Sequence, residues 1–338
     1  MTLFLLAGDI GGTNTRLALY SAPENLNSEE KRLSAPVYTP PLFLKKYVNE
    51  IHLPTDNHSW EHEILLPFLQ EACEINVLPN DNSASIVACL AVAGPVDTIR
   101  NRVTMTNILR PNHSSSSLVL DGGAIESSSL GLLQCIRKCF LVNDFIGQGY
   151  GLLTLNDNDT TRIVELIPGS FQRLNRNGPK ACVGAGTGLG QCYLTPSFTP
   201  RQTTEAVDAS LSYTCYPSEG GHVDYAPRRP YLHQLHTYLK HKYNEQYRIS
   251  VERVVSGRGI VDVYEFLVQT FPQLVDEDVH KAFLLAEDRG RFLGEQANRD
   301  FVEKKVGLFQ LAMDIVMEAY GAEVANAALK FLPTGELL

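Results

Sequence analysis

Apolar residues recur along this chain in two registers, short strand-length runs and longer stretches at helical spacing. Leu3–Ala7 is a short apolar run, and Arg16–Tyr20 alternates after a Gly-Gly-Thr-Asn turn, so the two predict a β-hairpin. Ile86–Ala93 is continuous and ends at Gly94-Pro95; Phe140-Leu141-Val142 ends at Asn143-Asp144. Ala124–Lys138 has helical spacing, as do Tyr231–Tyr243, Ile260–Gln269 and most of Glu277–Lys330. Strands and helices interleaved in this way predict an α/β protein. Pro23–Pro41 and Leu53–Ser59, rich in Pro, Asn, Ser and charge, read as surface insertions. The serine runs Ser114–Ser117 and Ser127–Ser129 read as loop or helix-start material.

Length and charge narrow the class. A chain of 338 residues suits two domains, at roughly 150 residues each, and 44% hydrophobic residues are ample for large cores. With 29 basic and 38 acidic residues the net charge is −9, which disfavours a nucleic-acid binder or a polybasic membrane anchor. No apolar run approaches the roughly 18 to 20 residues of a spanning helix. Leu3–Ala7 lacks a basic leader and runs into glycines, so it is not read as a signal peptide. Seven cysteines, an odd number set mostly in apolar stretches, predict buried reduced thiols and a cytoplasmic setting. The expectation is a soluble, acidic, intracellular protein of two lobes.

An internal echo carries more. Leu5-Leu6-Ala7-Gly8-Asp9-Ile10-Gly11-Gly12-Thr13-Asn14 runs into Arg16–Tyr20, and Ala181-Cys182-Val183-Gly184-Ala185-Gly186-Thr187-Gly188-Leu189-Gly190 runs into Gln191–Leu194. Each is apolar strand, Gly/Thr turn, apolar strand, which suggests a duplicated α/β lobe with a cleft between the copies. Glycine lets backbone N–H groups approach a polyphosphate closely, and threonine adds a hydroxyl donor. The second loop lacks dinucleotide-fingerprint spacing, and a strand rather than a helix is expected after it.

Polar residues at the ends of apolar runs supply the candidate chemistry. Asp144 follows Asn143 at a strand end; alone, the pair reads first as a strand-terminal turn. Glu219 and His222 flank a Gly-Gly pair that leaves both side chains free to face one ligand. Glu252 sits in an otherwise apolar patch, where an ion pair with Arg253 or Arg258 is the structural alternative. His233 and His236, with His241 beyond, read as an exposed helix face rather than a metal site.

Five motifs in order give the sequence a family resemblance: from Leu3 to about Lys330 it resembles the bacterial-type glucokinases of the sugar kinase, Hsp70 and actin superfamily. Gly8–Asn14 is similar to the first phosphate motif and Gly184–Gly190 to the second; Ala93–Val96 and Met105–Asn107 match an inter-motif strand and a sugar-contacting asparagine. Leu141–Phe145 matches the catalytic segment, and Glu219–Asp224 with Glu252–Gly257 the remaining glucose-binding elements. The resemblance implies a two-lobed, duplicated ribonuclease H-like (actin-like ATPase) α/β fold. Residues 1–154 would form a small lobe and 155–338 a larger one.

It also implies ATP-dependent phosphorylation of glucose at the 6-hydroxyl. Asp144 would be the general base. Asn107, Asn143, Asp144, Glu219, His222 and Glu252 would bind the sugar hydroxyls, carboxylates offering several acceptor sites each. Gly8, Asp9, Ile10, Gly11, Gly12, Thr13 and Asn14, with Gly186, Thr187 and Gly188, would hold the phosphates, and Asp9 would orient Mg²⁺ through water. The partners implied are ATP, Mg²⁺ and glucose, without nucleic acid or membrane; a homodimer is compatible with the family.

Two departures go with the resemblance. Only Cys192 and Cys215 lie near His222, so the zinc motif of the repressor/kinase branch is not expected. Family members also continue past the helix matching Met313–Lys330 into a strand, an adenosine-contacting glycine loop and a returning helix. This sequence reaches Phe331–Leu338 where that strand is due, which implies a shortened large lobe without the adenosine wall. The alternative that follows is a glucose-binding sensor that transfers phosphate weakly; an actin-like structural ATPase is disfavoured by the sugar-binding residues.

Overall fold

The structure is a computed structural model that describes residues 2–22, 39–53, 59–80, 83–109, 115–155, 161–175, 177–200 and 209–337. Two compact units emerge, Met1–Pro168 with Thr199–Ser212, and Gly169–Phe198 with Tyr213–Leu338. Most of Pro23–Pro41 and Leu53–Ser59, the expected insertions, lies outside the described residues.

In the first unit, β1 (Leu3–Ile10) and β2 (Asn14–Ser21) form the expected antiparallel hairpin. Alternation sends Phe4, Leu6 and Ile10 of β1, and Leu17 and Leu19 of β2, into the core. β3 (Phe43–Val48) joins β2 and leads into the short α1 (Asn49–His52). A wide π-type segment, Glu61–Leu65, continues directly into α2 (Leu66–Glu74). This segment covers the sheet with Trp60, Ile64, Leu65, Phe68 and Leu69, all fully buried. Each such side chain contributes about 1.5–3 kcal/mol by leaving water.

β4 (Ser85–Val92) runs parallel to β1, and β8 (Ile136–Asn143) parallel to β4, giving the order β3-β2-β1-β4-β8. Ile10 pairs with Val92, and Val92 with Asn143. The turns Gly11–Asn14, Gly94-Pro95 and Asn143-Asp144 therefore leave the sheet at the same end, the carboxyl ends of parallel strands, where α/β proteins bind ligands. β5 (Val96–Asp97), β6 (Arg102–Leu109) and β7 (Ser115–Asp121) make a separate three-stranded sheet.

The helix expected over Ala124–Lys138 is not formed. The stretch holds α3 (Gly122–Glu126), a 3₁₀ turn Gly131–Cys135 and the first residues of β8. Ile125, Leu133, Cys135 and Ile136 are all buried, so the spacing marks one core reached by three pieces. Gly131, at φ 49°, breaks the path between them. Ser115–Ser117 lie in β7, not a loop, and Ser127 ends α3 rather than starting a helix, donating to the Gly123 carbonyl at 2.9 Å. α4 (Asp144–Leu152) closes this part of the unit.

The second unit repeats the hairpin with β9 (Lys180–Ala185) and β10 (Leu189–Pro200), so a strand does follow the second glycine turn. β11 (Ala209–Ser218) flanks β10, and β12 (Glu336–Leu337) pairs parallel with Lys180 and Ala181 of β9. The expected helices form as α5 (Pro230–Tyr243), α6 (Gly257–Thr270), α7 (Glu277–Leu285), α8 (Arg289–Val302) and α9 (Leu308–Phe331). Ser256, Asp276 and Asp288 cap α6, α7 and α8 with side-chain oxygens. Tyr264 stacks on Phe309 at 4.3 Å and meets Phe283 edge-on at 4.7 Å, forming the centre of the helical core. The α9 residue Tyr320 reaches the sheet, donating to the Val183 carbonyl at 2.8 Å. All seven cysteines are free thiols; Cys89 is exposed and the other six are buried. No helix among the described residues is long and apolar enough to cross a membrane.

Candidate active site

In the first unit the site is built on the aligned strand ends. Gly8 and Ile10 are buried, whereas Asp9 and Thr13 are exposed and Gly11, Gly12 and Asn14 half-buried. Asp9 pairs with Arg16 directly across the hairpin, and the Arg16 guanidinium donates to Asp9 Oδ2 at 2.9 Å. The turn closes on itself through Gly11 N–H donating to the Asn14 carbonyl at 2.9 Å.

Asn143 ties two other turns together. Its Oδ1 accepts from Phe145 N–H at 3.0 Å, capping α4, while its Nδ2 donates to the Gly94 carbonyl at 3.2 Å. Asp144 occupies the first helical position, half-buried, with Oδ1 accepting from Phe145 N–H at 2.9 Å. A carboxylate is favoured there by the helix dipole. Asn107 lies in β6 where the register with β7 shifts between Met105 and Ile108, and its side chain is outside the described residues.

In the second unit three motifs converge on Leu189. The glycine turn is held by Gly186 N–H donating to the Gly188 carbonyl at 2.7 Å, and the Gly186 carbonyl accepts from Gly257 N–H at 2.8 Å. Leu189 N–H donates to Glu252 Oε2 at 2.9 Å. A Cβ on Gly188 would stand 2.4 Å from that oxygen, so only glycine lets the carboxylate in. From the other side Gly221 presses on the Leu189 carbonyl, where a Cβ would fall at 1.8 Å. Gly221 sits in the short turn that presents Glu219 and His222. Their side chains are largely exposed and adjacent, with His222 Nδ1 at 3.3 Å from Glu219 Oε2. Val251 N–H donates to the Val223 carbonyl at 2.9 Å, fastening the Glu252 segment to the same turn. Thr187 is exposed at the tip.

The ion pair weighed for Glu252 is not formed; Arg253 and Arg258 instead pack over the Tyr243 ring at 3.9 and 5.4 Å. Two groups escaped the sequence analysis. Arg16 as the partner of Asp9 was open to view, since hairpin register places them opposite. The buried trio Thr15, Asn49 and Trp60 was not, because Asn49 and Trp60 lie 34 and 45 positions beyond Thr15. The one hint was that Trp60 is the single tryptophan.

The sequence profile of the Glucokinase family matches residues 6–338. A glucokinase of Synechocystis sp. is 34% identical over 344 residues, a match that takes in 100% of this chain and 83% of that protein. One of Nostoc punctiforme is 33% identical over 352 residues, with the same coverage of 100% and 83%. Among solved structures, the glucokinase from Balamuthia mandrillaris in complex with glucose superposes with a TM-score of 0.67 at 22% identity, covering 100% of this chain and 79% of that one. A glucokinase from an Antarctic psychrotroph gives 0.61 at 21%, covering 99% and 81%. These two agree with an actin-like ATPase fold for this chain. With the profile matching residues 6–338 and relatives above 30% identity covering the whole sequence, the chain belongs to the glucokinase family.

Proposed function

We propose that this protein transfers the γ-phosphoryl group of ATP to the 6-hydroxyl of glucose. The observation that carries the reading is a family match spanning both glycine turns, Asp144 and the Glu219 and Glu252 motifs. Asp144 takes the proton from the attacking hydroxyl, as a positioned base must. Asn143, fixed by its bonds to Phe145 and Gly94, holds a neighbouring hydroxyl, as does Asn107. Glu219, His222 and Glu252 accept from or donate to the remaining hydroxyls. Gly11–Asn14 and Gly186–Gly188 hold the phosphates through N–H groups, and Thr13 and Thr187 add hydroxyl donors.

Asp9 fits a role toward Mg²⁺. It is an exposed hard-oxygen donor at the phosphate turn, and its partner among the described residues, Arg16, engages Oδ2. No group of three His, Cys, Asp or Glu among the described residues could hold a metal alone. Such a lone carboxylate suits an ion held mainly by water and phosphate. When bound, Mg²⁺ neutralises charge on the phosphates. The test is a coupled assay with glucose, ATP and Mg²⁺: formation of glucose 6-phosphate is expected, and binding of glucose without product would overturn the reading.

A further inference from the structure

Behind the first phosphate turn lies a polar group that none of the roles above uses. Thr15, Asn49 and Trp60 are each 0% exposed. Thr15 Oγ1 donates to Asn49 Oδ1 at 2.9 Å and accepts from Trp60 Nε1 at 3.3 Å. The Asn49 amide, oriented by these bonds, donates to the carbonyls of Gly11 at 2.8 Å and Gly12 at 3.3 Å. Asn49 N–H takes the next carbonyl, Thr13, at 2.9 Å, and the Asn14 carbonyl accepts from Gly11 N–H at 2.9 Å. All four carbonyls of the turn are thus engaged. By contrast, the N–H groups of Gly12 and Thr13 have no protein acceptor among the described residues.

That division matters for an anion. Carbonyl oxygens facing a polyphosphate repel it, and N–H groups facing it attract it, so a turn binds phosphate only when its carbonyls are held elsewhere. We infer that Asn49, locked by Thr15 and Trp60, is the positioning residue of this turn: it gathers the carbonyls of Gly11, Gly12 and Thr13 and leaves two N–H donors for the phosphates of ATP. The inference rests on the assignment of Gly11–Asn14 as a phosphate turn. Asn49 touches no substrate and acts through the backbone it holds.

Asn49→Asp is the informative variant, since it keeps the acceptor for Thr15 and replaces the amide donor with a carboxylate that repels the Gly11 and Gly12 carbonyls. Thr15→Val keeps the shape but removes both bonds of the Thr15 hydroxyl, Trp60→Phe removes the indole donor together with part of the packing, and both serve if Asn49→Asp does not fold. Binding of a non-hydrolysable ATP analogue and of glucose is measured by calorimetry on the full chain, alongside KM for each substrate. Asn49→Asp is expected to weaken the analogue roughly tenfold or more, and the other two by a few-fold, with glucose affinity unchanged. Wild-type protein that binds the analogue, with variants that match it, overturns the inference alone. Wild-type protein that does not bind the analogue overturns the phosphate-turn assignment as well. Equal losses for both ligands would reduce the trio to a folding role and also overturn it.

Discussion

Glu219 and His222 are three positions apart and their side chains meet at 3.3 Å, largely in solvent. Such an exposed pair adds little to stability, so its loss should be read in binding. Glu219→Gln and His222→Ala are each expected to raise KM for glucose roughly tenfold, since a sugar hydroxyl loses its partner, while KM for ATP stays within about twofold. Steady-state kinetics with each substrate varied in turn makes the comparison, and equal shifts in both would contradict the assignment. The residue types of this pair and of Glu252 were legible in the sequence. The partner of Glu252 was not: an apolar neighbourhood with two arginines suggests an ion pair, yet the carboxylate bonds to a backbone N–H 63 positions away.

Among the elements, both glycine hairpins were legible because alternation and a glycine turn are local signals. The pieces within Ala124–Lys138 were not, because the side chains share one core and mimic a helical period. Close approaches between elements are equally invisible beforehand, and Gly221 against Leu189 is the sharpest. Gly221→Ala forces the Glu219–His222 turn off the second glycine hairpin, so glucose affinity and melting temperature should fall together. Calorimetric titration and a thermal melt check this, and a variant unchanged in both would contradict the packing. Elsewhere Asp262, buried in α6, accepts from Lys242 Nζ at 2.7 Å and from the Tyr243 hydroxyl. Lys242→Met leaves that carboxylate without its cation and should cost roughly 3–5 kcal/mol in urea unfolding. Activity of the folded fraction should be unaffected.

Over the whole molecule, alkaline stability reflects phenol and thiol protons held by burial, among them those of Tyr225 and Cys139. Burial pushes the Tyr225 phenol from its ordinary 10.0 up to about 12, helped by the nearby Glu318 charge. Burial likewise pushes the Cys139 thiol from 9.0 up to about 12, with Glu126 adding to it. Both folded values lie above the unfolded ones, so the unfolded chain releases these protons first. The stabilisation is whole below about pH 9 and is lost as pH rises toward 12. Denaturant midpoints between pH 8 and 12 should therefore fall, and Tyr225→Phe should flatten the decline. The Tyr225 hydroxyl has no hydrogen-bond partner among the described residues, so that substitution should cost little at neutral pH. A slope unchanged in Tyr225→Phe would contradict the tyrosine's part.

The central claim is that this glucokinase-family chain phosphorylates glucose with Asp144 as the base. Turnover and glucose affinity measured side by side for the wild type and Asp144→Asn test it most directly. The asparagine keeps the shape at the start of α4 and the hydrogen bond from Phe145, but cannot take a proton. The account predicts that kcat falls roughly 10²-fold or more while the glucose Kd stays nearly unchanged. Near wild-type turnover in Asp144→Asn would contradict it.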